Sequence, residues 1–206
     1  MHETLAWRNT CLGLKLHARD PYTSGNVVVG DEHGVQSRFH KYFGDPLNAI
    51  FESQSIDLRF ADFRCVQSTY DGIPDVILKD NNDHLKVVGE LKVPWVPEHR
   101  IGDIFRYKAI LRKTLAQPIM YMQHLGSAYG FLSNYDETIF LRQLVDSQGV
   151  WRIEYSPVIR ASTMYDKGNA NSPVVSARQC FFYVGCDALN QGPVHNTTAG
   201  WIDRNP

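Results

Sequence analysis

Two carboxylates and a lysine stand in two neighbouring apolar stretches of the chain. Asp75 opens the first stretch, and Glu90 and Lys92 lie near the end of the second. Two carboxylates on a largely apolar surface repel each other and resist desolvation, so either their pKa values rise or a cation binds between them. Because hard oxygen ligands favour Mg²⁺ or Mn²⁺ over zinc, the residue types point to one of these two ions.

The two stretches read as the strands of one hairpin. Residues 73–79 and 84–93 are rich in Val, Ile and Leu, as inner strands are, and the segment 80–83 consists of turn-forming Asp and Asn. The sequence therefore predicts two antiparallel strands that carry the acids.

The expected register brings the carboxylates together. If the turn places Lys79 opposite His84, Asp75 lies opposite Val88. Glu90 is then the diagonal neighbour of Asp75 on the same face. Diagonal Cα atoms lie roughly 7–8 Å apart, a gap that two carboxylates can close around one cation held at about 2.0–2.1 Å.

Lys92 falls on the same face as Glu90, because side chains alternate along a strand. A divalent cation here would polarise a phosphoryl oxygen and activate water, and an ammonium would orient that water or stabilise transition-state charge. Phosphodiester hydrolysis is the reaction that suits this arrangement. The alternative is an exposed hairpin face on which Lys92 forms a salt bridge with Glu90 or Asp75, and these three residues alone do not decide between the two.

Composition predicts one folded domain over residues 1–206. The chain has 206 residues, of which 43% are hydrophobic and 21% charged, the balance of a globular protein. A chain of this length buries roughly 70% of its unfolded surface and needs no disulfide or structural zinc. We expect a core at about 31–145, a C-terminal strand and helix at 150–190 and a tail at 191–206.

The cysteines and the N-terminus favour an intracellular protein, cytoplasmic or nuclear, without a membrane span. No C-x-x-C pair occurs, so we expect mostly buried free thiols in a reducing compartment at Cys11, Cys65, Cys180 and Cys186. The segment 1–19 is too interrupted by charges for a signal peptide or a membrane helix. The sequon at Asn196 is then a chance match.

The charge balance gives no general attraction to nucleic acid. The net charge is −1 and the pI is near 6.7, without the basic excess of many nucleic-acid binders. A local basic stretch comprises Arg100, Arg106, Lys108, Arg112 and Lys113. It is either a contact surface, in which Arg106, Arg112 and the nearby Trp95 touch nucleic acid, or an ordinary solvated helix face.

The periodicity of apolar residues predicts the remaining elements. We expect helices at 31–52 with a break at Asp45-Pro46, at 98–115, at 118–124 and at 172–189, and strands at 57–69, 128–134, 137–145 and 150–155. The core order is thus helix, three antiparallel strands, helix, strand.

Pro74-Asp75 and Glu90-Leu91-Lys92, on the second and third strands of that order, resemble the PD-(D/E)xK core of restriction-endonuclease-like nucleases. The resemblance implies an α/β fold with a central mixed sheet flanked by helices. It also implies a nuclease dependent on Mg²⁺ or Mn²⁺, with DNA a more natural substrate than RNA. Asp75 and Glu90 would bind the metal and Lys92 would act in catalysis.

Two further features of the family have counterparts here. The helix before the sheet often supplies another acidic ligand, for which Glu32 is the best match and Asp31 and Glu52 are poorer ones. Gln117 and Tyr121 are similar to the Gln-x-x-x-Tyr motif of the RecB and lambda-exonuclease branch, where the pair lies near the active site and the DNA. The alternative for this pair is a helix cap and a core tyrosine.

The stretch YGFLSNYDETIFLRQL also resembles an uncharacterised fungal group thought to share this fold, and the whole resemblance covers about Glu32 to Leu144. Other catalytic motifs, such as a nucleophile elbow or a Walker A loop, are absent from the sequence. Two rival functions stay open. One is an inactive module of this fold that binds nucleic acid or a protein, and the other is an effector or scaffold whose acidic hairpin meets a basic partner. A homodimer is equally open.

Overall fold

The computed structural model describes residues 28–166 and 174–198. The predictions for the N-terminal segment, for Cys11 and for residues 199–206 of the tail lie outside the described residues. The elements below belong to one compact unit that begins at Asp31.

The predicted helix at 31–52 is confirmed. It consists of α1 (Glu32–Phe39), a π-helical turn (His40–Gly44) and α2 (Asp45–Ser53). The Asp31 carboxylate caps α1 by accepting a hydrogen bond from the Gly34 amide at 2.8 Å. A π-helical turn that ends at Gly44 lies directly before the expected break at Asp45-Pro46, and Pro46 falls in the first turn of α2.

A mixed sheet forms the centre of the fold. Its strands, in spatial order, are β1 (Arg59–Ala61), β2 (Val76–Lys79), β3 (Leu85–Leu91), β4 (Tyr129–Ser133), β5 (Glu137–Val145) and β6 (Trp151–Tyr155), while β7 (Ile159–Arg160) also pairs with β5. β3 and β4 are parallel, and all other pairs are antiparallel. A parallel pair needs a crossover connection, which the helices between β3 and β4 provide.

Helices cover the sheet. The connection from β3 to β4 contains α3 (Ile101–Ile104) and α4 (Lys108–Leu125), and a later helix is α5 (Ala177–Leu189). α4 packs over β3 and β4 in an apolar core that includes Val88, Leu115, Met122 and Leu132. The predicted α/β class, the mixed sheet and the helix, three strands, helix, strand order are confirmed.

A second core, rich in phenylalanine, joins α1 and α5 to the sheet. Phe131 of β4 stacks on Phe39 of α1 with ring centroids 5.5 Å apart, and Phe181 of α5 meets Phe131 edge-on at 5.0 Å. Gly89 on the neighbouring strand makes room for this ring, because a β-carbon there would lie 2.0 Å from Phe131 Cζ. This core holds α1, which carries Glu32, against the strand that carries Glu90.

Several predicted elements have the wrong bounds. The helix expected at 98–115 is divided into α3 and α4, and the helix expected at 172–189 begins only at Ala177. The strand expected at 57–69 ends at Ala61, because Asp62 caps a 3₁₀-helix (Phe63–Cys65) by accepting from the Arg64 amide at 2.9 Å. The new helix expected at Pro118 is absent from the described residues, since α4 continues through that proline. Packing of α4 on the sheet offsets the one backbone hydrogen bond that Pro118 cannot donate.

The predicted register of the β2–β3 hairpin is also wrong. The Asp80 amide donates to the His84 carbonyl, so the turn encloses three residues, and one of them, Asp83, has a φ of 63°. Lys79 therefore pairs with Leu85 rather than His84, and a bulge between Leu78 and Lys79 shifts the register once more.

The two shifts change the partner of Asp75. Val76 pairs with Gly89, so continuing the ladder by one residue puts Asp75 directly opposite Glu90 rather than opposite Val88. The acids are therefore nearer than the diagonal arrangement predicts.

The described part of the tail is bonded to the end of α4. The Val194 amide donates to the Gly126 carbonyl at 2.9 Å, and Gln123 Nε2 donates to the carbonyl of Asn196 at 3.1 Å. The Asn196 side chain is buried. Residues 191–198 thus lie against α4 rather than extending from the fold.

The described cysteines are free thiols, but the prediction that they are mostly buried is wrong. Cys65 is exposed, and Cys180 and Cys186 are half-buried. Among the residues with assigned structure, no helix combines the length and apolar character that crossing a membrane requires.

Candidate metal centre

Three carboxylates from three elements converge. One oxygen each from Glu32, Asp75 and Glu90 lies within 4.8 Å of the other two. Glu32 lies in the first turn of α1, Asp75 in the bend before β2, and Glu90 near the end of β3. The structure therefore brings together the three residues that the sequence predicted as metal ligands.

The two poorer matches for the helix acid do not join this cluster. The Asp31 side chain is used as the cap of α1. Glu52 is exposed on α2, where it lines a separate cavity together with Arg59 and Asn81.

Glu90 is the buried member of the cluster, with 2% of its surface exposed. Its Oε1 atom accepts a hydrogen bond from the Lys92 ammonium. Its Oε2 atom is buried and has no N–H or hydroxyl donor among the described residues, although the carboxyls of Glu90 and Asp75 lie within hydrogen-bonding reach of each other. A buried carboxylate oxygen without such a donor is costly, and it is the feature expected where a cation normally completes the coordination.

Asp75 is held by two backbone interactions. Its Oδ2 atom accepts a hydrogen bond from the Leu91 amide at 2.7 Å. Its carbonyl accepts a hydrogen bond from Gln36 Nε2. Gln36 lies one helical turn after Glu32 on α1, so the same helix face that presents Glu32 also fixes the backbone of Asp75. Sequence reasoning missed Gln36, although its spacing of four from Glu32 would have been the signal.

The surroundings raise the pKa values of both inner carboxyls. Burial, and next the negative charge of Asp75, raise the pKa of Glu90 to about 8, against the opposing effect of Lys92. Burial also raises the pKa of Asp75, which the Leu91 amide partly offsets. When all three carboxyls are ionised, one ammonium does not balance them. The oxygen donors and the uncompensated negative charge fit Mg²⁺ or Mn²⁺.

A chain of hydrogen bonds leads from Lys92 into α4. Lys92 Nζ donates to Gln117 Oε1 at 3.1 Å, Gln117 Nε2 donates to the Tyr121 hydroxyl at 2.8 Å, and that hydroxyl donates to the Ile73 carbonyl at 3.3 Å. Burial raises the pKa of Tyr121 to about 12, which keeps it a donor at neutral pH. Gln117 lies inside α4 and is not a cap, whereas Tyr121 is indeed a core residue.

The residues predicted to contact nucleic acid occupy different places. Arg112 is exposed and lines a cavity of about 960 Å³ together with Gln117 and Tyr121. Arg106 is exposed in the link between α3 and α4, and Trp95 is 46% exposed after β3. Their predicted contacts with nucleic acid stay predictions.

Comparisons with known proteins give one remote likeness. No protein-family model matches the chain, and no curated protein matches it in sequence. Its fold is similar to part of the crystal structure of the type IIG restriction endonuclease BpuSI, with 13% sequence identity and a TM-score of 0.42. The match covers 78% of this chain and 18% of that protein. A likeness this remote says nothing about the activity of this chain.

Proposed function

We propose that the protein is a metal-dependent nuclease that hydrolyses phosphodiester bonds of nucleic acid, DNA rather than RNA. The observation that supports this most is the carboxylate cluster beside Lys92, in which Oε2 of the buried Glu90 has no N–H or hydroxyl donor among the described residues. The position of this cluster in a helix, three strands, helix, strand core agrees with the resemblance to the PD-(D/E)xK nucleases.

Each residue has a distinct role in this proposal. Glu32, Asp75 and Glu90 would hold Mg²⁺ or Mn²⁺, which when bound supplies Lewis-acid polarisation of the phosphate and lowers the pKa of water. The Lys92 ammonium is fixed between Glu90 and Gln117. From there it orients the attacking water by hydrogen bonding and stabilises the negative charge that develops on the phosphate.

Gln117 and Tyr121 hold Lys92 in place through hydrogen bonds. Gln117 accepts from Lys92 and thereby fixes the direction of the ammonium, and Tyr121 fixes the Gln117 amide. Both side chains also line the cavity along α4, where they can contact substrate. Trp95, Arg106 and Arg112 are proposed as further contacts with nucleic acid.

Other parts of the proposal rest on the sequence alone. These are the single domain over all 206 residues, the fungal group and the intracellular location. The inactive module that binds nucleic acid or a protein partner is the alternative that the first experiment must separate from the enzyme.

The decisive experiment measures cleavage by purified protein. Linear, circular and single-stranded DNA and RNA are incubated with Mn²⁺, Mg²⁺ or EDTA. Cleavage that requires metal, disappears in Glu90→Ala and Lys92→Ala, and persists in the exposed-acid control Glu52→Ala supports the nuclease. A folded wild type that cleaves none of these substrates and binds neither ion would refute it.

A further inference from the structure

The cavity beside the metal centre is a groove, named here the α4 groove. One wall is the loop 70–72, and the other is a single face of α4 on which Arg112, Lys113, Gln117, Tyr121 and His124 lie in order. Residues three and four apart fall on one face of a helix, so this wall is continuous. Its volume of about 960 Å³ lies at the upper end of the range for ligand sites, roughly 300–1,000 Å³.

We infer that the α4 groove binds an unpaired stretch of a nucleic-acid strand on both sides of the phosphate that is cleaved. The inference rests on the proposed function and adds the substrate class. Three features of the groove support it: the central position of Gln117, the cations at one end and the aromatic stack at the other.

Gln117 lies near the middle of the groove and connects it, through Lys92, to the metal centre. At about 1.5 Å per residue, Arg112 and His124 stand about 18 Å apart along the helix axis, with Gln117 between them. Gln117 accepts a hydrogen bond from Lys92, so the side chain that fixes the proposed catalytic ammonium is part of the groove wall, with groove on both sides of it.

The end of the groove near the start of α4 suits phosphates. Arg112 and Lys113 are both exposed there, and Ala109 and Ala116 on the same face leave space above the helix. Two cations on a small-residue surface attract a phosphodiester backbone without reading sequence. Asp71 on the opposite loop is the one acid among the groove residues, and it opposes this attraction.

The other end carries an aromatic stack that suits a base. The rings of Tyr70 and His124 are stacked, with centroids 5.0 Å apart and planes at 17°, and Tyr70 also meets Tyr121 edge-on at 6.2 Å. Gly72 lets the Tyr70 ring lie against the backbone, because a β-carbon at Gly72 would lie 2.3 Å from Tyr70 Cε1. The imidazole of His124 is exposed.

An aromatic ring held in a groove selects unpaired nucleotides. In a duplex the faces of the bases are covered by their neighbours, whereas the bases of a single strand can stack on aromatic side chains. The groove therefore favours a single strand, or the single-stranded end of a duplex, over an intact duplex.

The test measures binding without cleavage. Fluorescence anisotropy in EDTA compares a labelled single-stranded DNA 15-mer with the same sequence as a blunt duplex. We expect the single strand to bind at least tenfold more tightly than the duplex. His124→Ala and the double variant Arg112→Ala, Lys113→Ala should each weaken single-strand binding about five- to tenfold, whereas Asp71→Asn should strengthen it.

Matched controls remove similar side chains from outside the groove. Tyr183→Ala removes an exposed aromatic ring on α5, and Arg64→Ala removes an exposed cation. Both should bind the single strand as the wild type does. Circular dichroism melts show whether each variant is folded.

The outcomes separate this inference from the proposed function. The inference that the α4 groove binds an unpaired strand is refuted by any of three results, even if the protein cleaves DNA. These are equal affinity for both DNAs, no measurable binding, and unchanged binding by the folded groove variants. The expected binding pattern without cleavage in any metal would refute the nuclease and leave the groove as a single-strand binding site.

Discussion

Replacement of Glu90 by glutamine should stabilise the metal-free protein at alkaline pH. Glu90 is 2% exposed, and burial together with the charge of Asp75 raises its pKa from 4.5 to about 8. A carboxyl whose pKa is higher in the folded state than in the unfolded state stabilises the folded state, and this contribution is fully present at a pH below the pKa of the unfolded state. This contribution is lost as the pH rises through the folded value.

The size of the effect follows from the shift. Each pKa unit corresponds to about 1.4 kcal/mol, so the contribution lost between pH 5 and pH 8 is about 4 kcal/mol. That is a large fraction of the roughly 5–15 kcal/mol by which domains are stable. The side-chain amide that Glu90→Gln introduces cannot ionise, so the variant should keep most of this stability at pH 8.

The assay is urea denaturation in EDTA at pH 5, 6, 7 and 8. The free energy of unfolding of the wild type should fall more steeply with pH than that of Glu90→Gln. The difference between the two proteins cancels the contributions of titrating groups that are not coupled to Glu90, such as His40, whose pKa burial lowers. The exposed-acid control Glu52→Gln should follow the wild type. Parallel curves for wild type and Glu90→Gln would refute the assignment of a costly buried charge to Glu90.

Three more substitutions probe the site and the core. Asp75→Asn keeps a hydrogen-bond acceptor but removes a ligand charge, so stabilisation by Mn²⁺ in thermal melts should disappear; an undiminished shift would exclude Asp75 as a ligand. Tyr121→Phe removes the hydroxyl that holds Gln117 and should lower the single-turnover cleavage rate about tenfold, less than the roughly 10²-fold that a 1 Å misplacement can cost. An unchanged rate would contradict this role. Gly89→Ala puts a β-carbon 2.0 Å from Phe131 Cζ and should lower the free energy of unfolding in urea by about 1–3 kcal/mol. Adding Phe131→Leu should restore part of this loss. If the losses of the two single variants simply add in the double variant, the clash is refuted.

The residues of the metal centre are predictable because their chemistry is local. Glu90 lies on β3 and Lys92 directly follows its last residue, so alternation along the extended chain puts both on one face whatever the partner strand does. Asp75 directly precedes β2, the adjacent strand of a short hairpin, so it stays near Glu90 even when the register shifts. This is why a wrong register still led to the right group of side chains.

The register itself depends on interactions that no alternation pattern shows. Asp80 accepts hydrogen bonds from the amides of Asn82 and His84, each at 2.9 Å, and thereby selects a three-residue turn. The bulge between Leu78 and Lys79 then shifts the register once more. Likewise, α4 continues through Pro118 because tertiary burial outweighs a local preference, and the bond from Gln36 to Asp75 joins residues 39 positions apart.

The salt bridge and the metal site, which the sequence leaves as alternatives, are compatible in the structure. Lys92 does pair with Glu90, but it uses Oε1 and leaves Oε2 without an N–H or hydroxyl donor among the described residues. The face is also not an exposed one, since Glu90 is buried. When all three acids are ionised, they and the single ammonium leave two uncompensated negative charges within a cluster whose oxygens lie 4.8 Å apart or less. A divalent cation compensates these two negative charges and takes Oε2 of Glu90 as a ligand, whereas the salt bridge alone does neither.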